Sequence, residues 1–134
     1  MIGLDTNVLV RYVAQDDRSQ SAAATRLLER ELTPDDPGYI SLVTLAEVVW
    51  VLVSVYGADR PTVLRVVEGL LGAPQLRVQD AEAAWLAVLD YREDTFKADF
   101  SDALIARLAM AQGCRHTATF DRIAARQPGF QLLR

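Results

Sequence analysis

The sequence predicts an α/β fold, with a short, mostly parallel sheet covered by helices on both faces. Short apolar runs alternate with helix-length amphipathic runs along the whole chain. Gly, Pro and acidic residues separate them. Two of the short runs stop at or beside an aspartate, Asp5 and Asp121. Sheets of this kind bind ligands outside the carboxyl ends of their strands, which gives those two acids a place.

The elements follow in order. Residues 1–4 are apolar and halt at Asp5, a first strand. Residues 6–13 read as a short helix, closed by the polar break Gln15-Asp16-Asp17. Residues 19–31 repeat apolar positions at helical spacing. The run Thr33-Pro34-Asp35-Asp36-Pro37-Gly38 is a loop, because neither proline fits a helix interior. Residues 39–41 form a second strand, and residues 42–56 a helix ending before Gly57. Asp59-Arg60-Pro61 opens the next helix, with Pro61 tolerated in its first turn. That helix reaches Leu71 and stops at Gly72 and Pro74. Residues 76–78 are a third strand, and Asp80 reads as the N-cap of a helix to Tyr91. Residues 94–98 connect to a helix over 99–112, stopped by Gly113. A strand at 117–119, a short helix at 121–126 and a last strand at 130–132 complete the chain.

Length and composition set the outer bounds. One domain over residues 1–134 is expected, and a chain of this length buries about two-thirds of its unfolded surface. With 51% hydrophobic and 24% charged residues the composition is that of a globular protein and not of a disordered one. The longest apolar stretch, Val48 to Ala58, is shorter than the roughly 20 residues a bilayer span needs. The first residues carry no basic side chain and an acid at Asp5, against a signal peptide. The lone Cys114 cannot form an internal disulfide, so a cytoplasmic location is expected. A net charge of −4 excludes a nucleic-acid binder that is basic over its whole surface, but not a local basic rim.

Chemistry is concentrated in the acids. Asp5 and Asp121 lie at the carboxyl ends of predicted parallel strands, hence on one sheet edge. Each also suits the plainer role of capping the helix that follows. Glu47 interrupts a helix that is apolar almost all round, the pattern of a buried helix. An unpaired carboxylate there costs several kcal/mol, and no basic residue occupies Val43, Trp50 or Val51 beside it. A solvent-facing Glu47 at the helix edge is the plainer alternative. Asp99 and Asp102 open the next-to-last long helix, with Asp99 as N-cap and Asp102 at the third helical position. Converging carboxylates repel, and a hard divalent cation relieves them. Oxygen donors without a Cys or His cluster favour Mg²⁺ or Mn²⁺. The single His116 suits a packed or edge position better than a ligand or a base.

Four segments together resemble the PIN domain, and most closely its VapC-type toxins. They are Asp5-Thr6-Asn7, Glu47, the run Ala98-Asp99-Phe100-Ser101-Asp102-Ala103-Leu104-Ile105-Ala106, and Thr117-Ala118-Thr119-Phe120-Asp121. The resemblance covers essentially the whole chain. It implies a three-layer α/β/α fold with a mostly parallel sheet of four or five strands. It implies a Mg²⁺- or Mn²⁺-dependent endoribonuclease that cuts single-stranded RNA and leaves a 5′-phosphate and a 3′-hydroxyl. It further implies a homodimer, inhibited by a cognate antitoxin protein. By match to the family's motifs, Asp5, Glu47, Asp102 and Asp121 are the catalytic acids, with Asp99 an additional one. Asp5 and Asp102 are expected as direct metal ligands, and Glu47 as a ligand or a holder of the metal's water. Asp121 and Asp99 are expected to act through water or at a second, weaker site.

Thr6 and Asn7 would orient Asp5, as ligands generally require. Thr119 would bind the phosphate or Asp121, or serve only as a strand residue. Arg11, Arg18, Lys97 and Arg122 are rim candidates for RNA, each as readily an ordinary solvated charge. Of the aromatics near the motifs, Tyr12, Phe100 and Phe120, the two phenylalanines are expected in the core. Trp50, Val53 and Tyr56, with Val63, Val66, Val67 and Leu70, exceed what one small sheet face needs, so part of this surface is expected at a dimer or antitoxin contact. The alternatives are a housekeeping PIN nuclease in RNA processing and a catalytically silent acidic α/β binding or signalling domain. A phosphoacceptor receiver would need a paired acid at the first strand and a lysine at a late strand end. Asp5 stands alone, and Lys97 lies outside any predicted strand.

Overall fold

The computed structural model describes all 134 residues. The chain divides into two compact units, Met1–Ala81 and Glu82–Arg134. The first carries β1 (Ile2–Gly3), α1 (Thr6–Ala14), α2 (Arg18–Arg26), β2 (Gly38–Ile40), α3 (Leu42–Ser54), α4 (Arg60–Gly72) and β3 (Leu76–Val78). The second carries α5 (Ala81–Arg92), α6 (Phe100–Ala111), β4 (Thr117–Thr119) and β5 (Phe130–Leu132).

The fold is α/β with parallel strand pairing throughout, as the alternation predicts. In the first unit β2 lies between β1 and β3, with Gly38 opposite both Ile2 and Leu76. In the second, β4 pairs with β5, with Thr117 opposite Phe130. Five strands are therefore present, hydrogen-bonded as a set of three and a set of two where a single sheet was expected. Helices connect them, because parallel strands cannot be joined by a tight turn. No helix is long and apolar enough to cross a membrane.

Local chemistry sets the helix starts. Asp17, Ser41 and Asp59 cap α2, α3 and α4 by accepting the N–H of Gln20, Thr44 and Thr62 at 2.8, 3.1 and 3.0 Å. After α2 the chain widens into a π-helical turn over Leu27–Glu31, and the Leu32 N–H reaches back five residues to the Leu27 carbonyl at 2.9 Å. Asp80 is not the extended cap that the sequence suggests. It sits in the left-handed region at φ 45°, where a short polar side chain is tolerated.

Two glycines stand close against their neighbours. A Cβ at Gly38 would stand 2.7 Å from Leu4 Cδ1 and 2.8 Å from Leu32 Cδ1, so a side chain there would displace both leucines. Gly129 has φ 86°, and a Cβ there would meet Met110 Cε at 2.6 Å. The Gly129 carbonyl accepts the Thr117 N–H at 2.7 Å, which sets the register of β4 on β5.

In the first unit, α1 buries Leu9 and Val10, α3 buries Leu45, Val48, Val49 and Leu52, and α4 buries Val63, Val67 and Leu70. With the nearly buried Thr6 counted on α1, each set follows the three- and four-residue steps of one helix face. The opposite face of α3 is apolar but open to solvent, with Val43 71% and Trp50 67% exposed. The expectation that this helix is buried all round is thus corrected: a single stripe fills the core, and the rest of its apolar surface is left over. In the second unit the Tyr91 ring meets Phe96 and Phe100 edge-on, at centroid distances of 6.2 and 5.6 Å. Arg107 of α6 grips Asp90 of α5 with two bonds, Nε to Oδ2 at 2.6 Å and Nη2 to Oδ1 at 2.7 Å.

Candidate active site

The acids singled out in the sequence form one group in each unit. In the first, Asp5 follows β1 in extended conformation and caps α1, its Oδ1 accepting the Thr6 N–H at 2.8 Å. The Thr6 hydroxyl, nearly buried, donates to Oε1 of Glu47 on α3 at 3.2 Å. Thr6 therefore holds both carboxylates, one through its backbone and one through its side chain. The sequence reading gave Thr6 to Asp5 alone. It missed Glu47 because the two residues lie 41 positions apart. Glu47 itself is exposed, so the solvent-facing alternative is the correct one.

Asn7 is exposed at the mouth of a cleft between α1 and α2 that also includes Arg11 and Gln20. Arg11 is already engaged, pairing with Asp16 at 3.2 Å and donating from Nε to Gln20 at 2.8 Å. That makes it a poor phosphate ligand. Arg18 opens α2 and is exposed.

The second group opens α6. The Asp99 N–H donates to Asp102 Oδ2 at 3.1 Å, the capping arrangement that the spacing of three predicts. Burial pushes the Asp102 carboxyl above the usual carboxylate range, and the negative charges of Asp99 and Asp121 push in the same direction, against the Asp99 backbone bond that lowers it. Asp99, Asp102 and Asp121 are thus electrostatically one group. Asp121 follows β4 in a tight turn in which its Oδ1 accepts the N–H of Ile123 at 2.8 Å and of Ala124 at 3.1 Å. Thr119 resolves to one of its expected roles, its Oγ1 accepting the Asp121 N–H at 3.0 Å. Lys97 and Arg122 are exposed, and the Lys97 backbone N–H is tied to buried Gln127 at 3.2 Å.

Phe100 lies in the core as expected, at 1% exposure. Phe120 does not: it is 77% exposed. Strand alternation contains the correction, because Thr117 and Thr119 are half-buried and Ala118 is exposed, so Phe120 continues the outward face. The apolar surplus also divides. Val63, Val67 and Leu70 are core, whereas Trp50, Val53 and Tyr56 face solvent.

The donor set suits a hard divalent cation. Every candidate ligand is a carboxylate, and none of Asp5, Glu47, Asp99, Asp102 or Asp121 forms an ion pair with a basic side chain. In neither unit do three acidic, His or Cys side chains stand close enough together to hold an ion by themselves.

A parallel α/β protein with unpaired acids after its strands has the oxygen donors that hydrolysis of phosphate esters with a divalent metal uses. The PIN domain profile matches residues 2–129, spanning both units, and the chain belongs to the PIN domain family. PIN domains are in general nucleases and generally use divalent metals. No curated protein matches this chain.

Proposed function

We propose that this chain is a Mg²⁺- or Mn²⁺-dependent endoribonuclease that hydrolyses single-stranded RNA to 5′-phosphate and 3′-hydroxyl ends. The observation that carries the reading is the set of five carboxylates without a single cationic partner, one of them, Asp102, already pushed toward its protonated form. Asp102, half-buried and facing the charges of Asp99 and Asp121, bears a cost that a bound cation would relieve.

Asp5 and Asp102 are proposed as the direct ligands, and Glu47 as a ligand or the acceptor that holds the attacking water. Thr6 fixes Asp5 and Glu47 relative to one another. Asp121, with Oδ1 committed to its turn, offers Oδ2, and Asp99 adds charge to the same group. When bound, the cation supplies an acidified water and polarises the scissile phosphate. The carboxylates would accept the proton of the attacking water as its oxygen bonds to phosphorus and the bond to the 3′-oxygen breaks in line, and a solvent water would give the leaving 3′-oxygen the proton that makes it a hydroxyl. Asn7 is proposed as a donor beside Asp5, and Arg18, Lys97 and Arg122 as exposed charges for the RNA backbone.

Within the family we assign the chain to the VapC-type toxins, acting in the cytoplasm as a homodimer held in check by an antitoxin protein. The order and spacing of the four motifs support the assignment. The open apolar face of α3, with Val43, Trp50 and Val53, supports a protein partner. The test is cleavage of total cellular RNA by purified protein with Mn²⁺ or Mg²⁺, beside EDTA and Asp102→Asn controls, with the new 5′ ends sequenced. Cuts at a few sites that need both metal and Asp102 support the reading. No cuts by folded, metal-loaded protein free of antitoxin would leave a silent binding domain.

A further inference from the structure

Beside Asp121 the second unit has a cleft of about 600 Å³, lined by Phe120, Arg122, Leu132, Leu133 and Arg134. Leu132, the last residue of β5, and Leu133 after it supply apolar lining. The Leu133 N–H donates to the Thr119 carbonyl at 2.7 Å, which fixes these leucines beside the end of β4. Phe120 stands on the same strand end with its ring 77% exposed. The backbone beside it is held by the Thr119–Asp121 bond on one side and the Asp121 turn on the other. Arg122 and Arg134 line the same cleft, and neither is engaged in an ion pair. Both guanidiniums are therefore open to an anionic partner, beside the single carboxylate of Asp121.

This combination has a specific complement. A ring open to water offers a stacking face, and free guanidiniums offer bidentate contacts to phosphate. A cleft of this volume is within the range that holds a single small ligand. An unpaired nucleotide presents both an apolar face and a phosphate at that scale, whereas duplex bases are stacked on one another and hidden in the A-form groove. We infer that Phe120 is a base-stacking platform and that Arg122, with Arg134, holds the phosphate of the same unpaired nucleotide of single-stranded RNA. The inference rests on the nuclease reading and gives it a strand-positioning device, because Phe120 and Asp121 are adjacent and their Cα atoms about 3.8 Å apart. A base stacked on Phe120 would set which phosphate lies beside Asp121.

The test is binding of a fluorescein-labelled short unpaired oligoribonucleotide to the full chain in EDTA, followed by anisotropy, with the same sequence as a duplex alongside. Phe120→Ala should weaken single-strand binding by roughly 5- to 150-fold, the range for loss of one base–aromatic stack. Phe120→Tyr should retain it, and duplex binding should not move. Arg122→Gln should weaken binding and reduce the salt slope by about one ion. Single-strand binding by Phe120→Ala equal to that of the unaltered chain overturns the inference, as does an equal loss for duplex. Conversion of a dimer to a monomer by Phe120→Ala, with RNA binding unchanged, would mean that a second copy covers this face, and also overturns it. Metal-dependent cleavage by the unaltered chain, together with full binding by Phe120→Ala, sinks this inference alone. Failure of the unaltered chain both to bind and to cleave RNA sinks the nuclease reading as well.

Discussion

Removing Asp90 should destabilise the second unit without touching the chemistry assigned to it. Asp90 accepts two bonds from Arg107, at 2.6 and 2.7 Å, and the two side chains are 16% and 28% exposed. Asp90→Ala leaves the guanidinium mostly dehydrated and without its carboxylate. A lost charge-assisted bond costs about 1.5–3 kcal/mol, and a fully buried broken pair about 3–5 kcal/mol. Arg107 keeps some access to water, so the lower range applies, and about 2 kcal/mol is expected. With an unfolding entropy near 2.1 cal/mol/K per residue, that lowers Tm by about 7 °C for a chain of this length. Calorimetry of Asp90→Ala, Arg107→Met and the double variant forms a cycle, in which the double variant should lose clearly less than the sum of the singles. The pair lies about one and a half turns along α6 from Asp102, so metal-dependent cleavage at 25 °C should stay within about twofold. A Tm loss under about 2 °C with additive singles would place the pair among solvent-screened surface bridges and refute the argument.

Other expectations can be checked on the same material. Asp102→Asn should lose cleavage by at least about a hundredfold while melting slightly higher than the unaltered chain in EDTA, because the neutral amide escapes burial and the repulsion of Asp99 and Asp121. The gain should be a fraction of a kcal/mol, reduced by the solvent around the group. Because the folded carboxyl titrates above its unfolded value, its stabilising contribution is complete below the unfolded pKa and is lost as pH rises through the folded one. The Tm advantage of Asp102→Asn should therefore grow with pH across the acid range. Mg²⁺ or Mn²⁺ at a hundred times its Kd should stabilise the chain by about 2.7 kcal/mol, or about 10 °C in a melt, and Asp102→Asn should lose that shift. Thr6→Val should cost no more than about 1 kcal/mol in stability but raise the metal concentration needed for half-maximal cleavage about 10- to 100-fold, and Thr6→Ser should restore it.

What the sequence reveals follows from the range of the interactions involved. The bounds of β3, β4 and β5 are legible because short alternating or β-branched segments lie close to strong breakers, such as Pro74, Gly113 and Gly129. The Asp99–Asp102 cap is legible because it is local and has a fixed spacing. The Thr6–Glu47 bond is not, since no local pattern joins residues on α1 and α3. The misjudged burial of α3 has a different origin. Hydropathy reports how much surface an element is able to bury, and Val43 and Trp50 show surface that the chain leaves open. Phe120 was misplaced for the same reason, a large ring being taken for core where the alternation of β4 turns it outward.

Capping a helix and serving a metal are usually weighed as competing explanations for an aspartate after a strand. Here the two are compatible at the level of individual oxygens. The cap of α1 uses Oδ1 of Asp5, the turn after β4 uses Oδ1 of Asp121, and the start of α6 uses Oδ2 of Asp102. In each case the other carboxylate oxygen takes no part in that bond. A cap fixes the plane and direction of the carboxylate and leaves one oxygen for another partner, which is the preorganisation that a ligand set requires. At Asp102 the bond from the Asp99 N–H also offsets part of the repulsion from Asp99 and Asp121, since backbone N–H groups at helix starts favour negative charge. On the proposed reading, a chain that places such acids at helix starts holds their carboxylates in fixed directions whether or not a cation is bound.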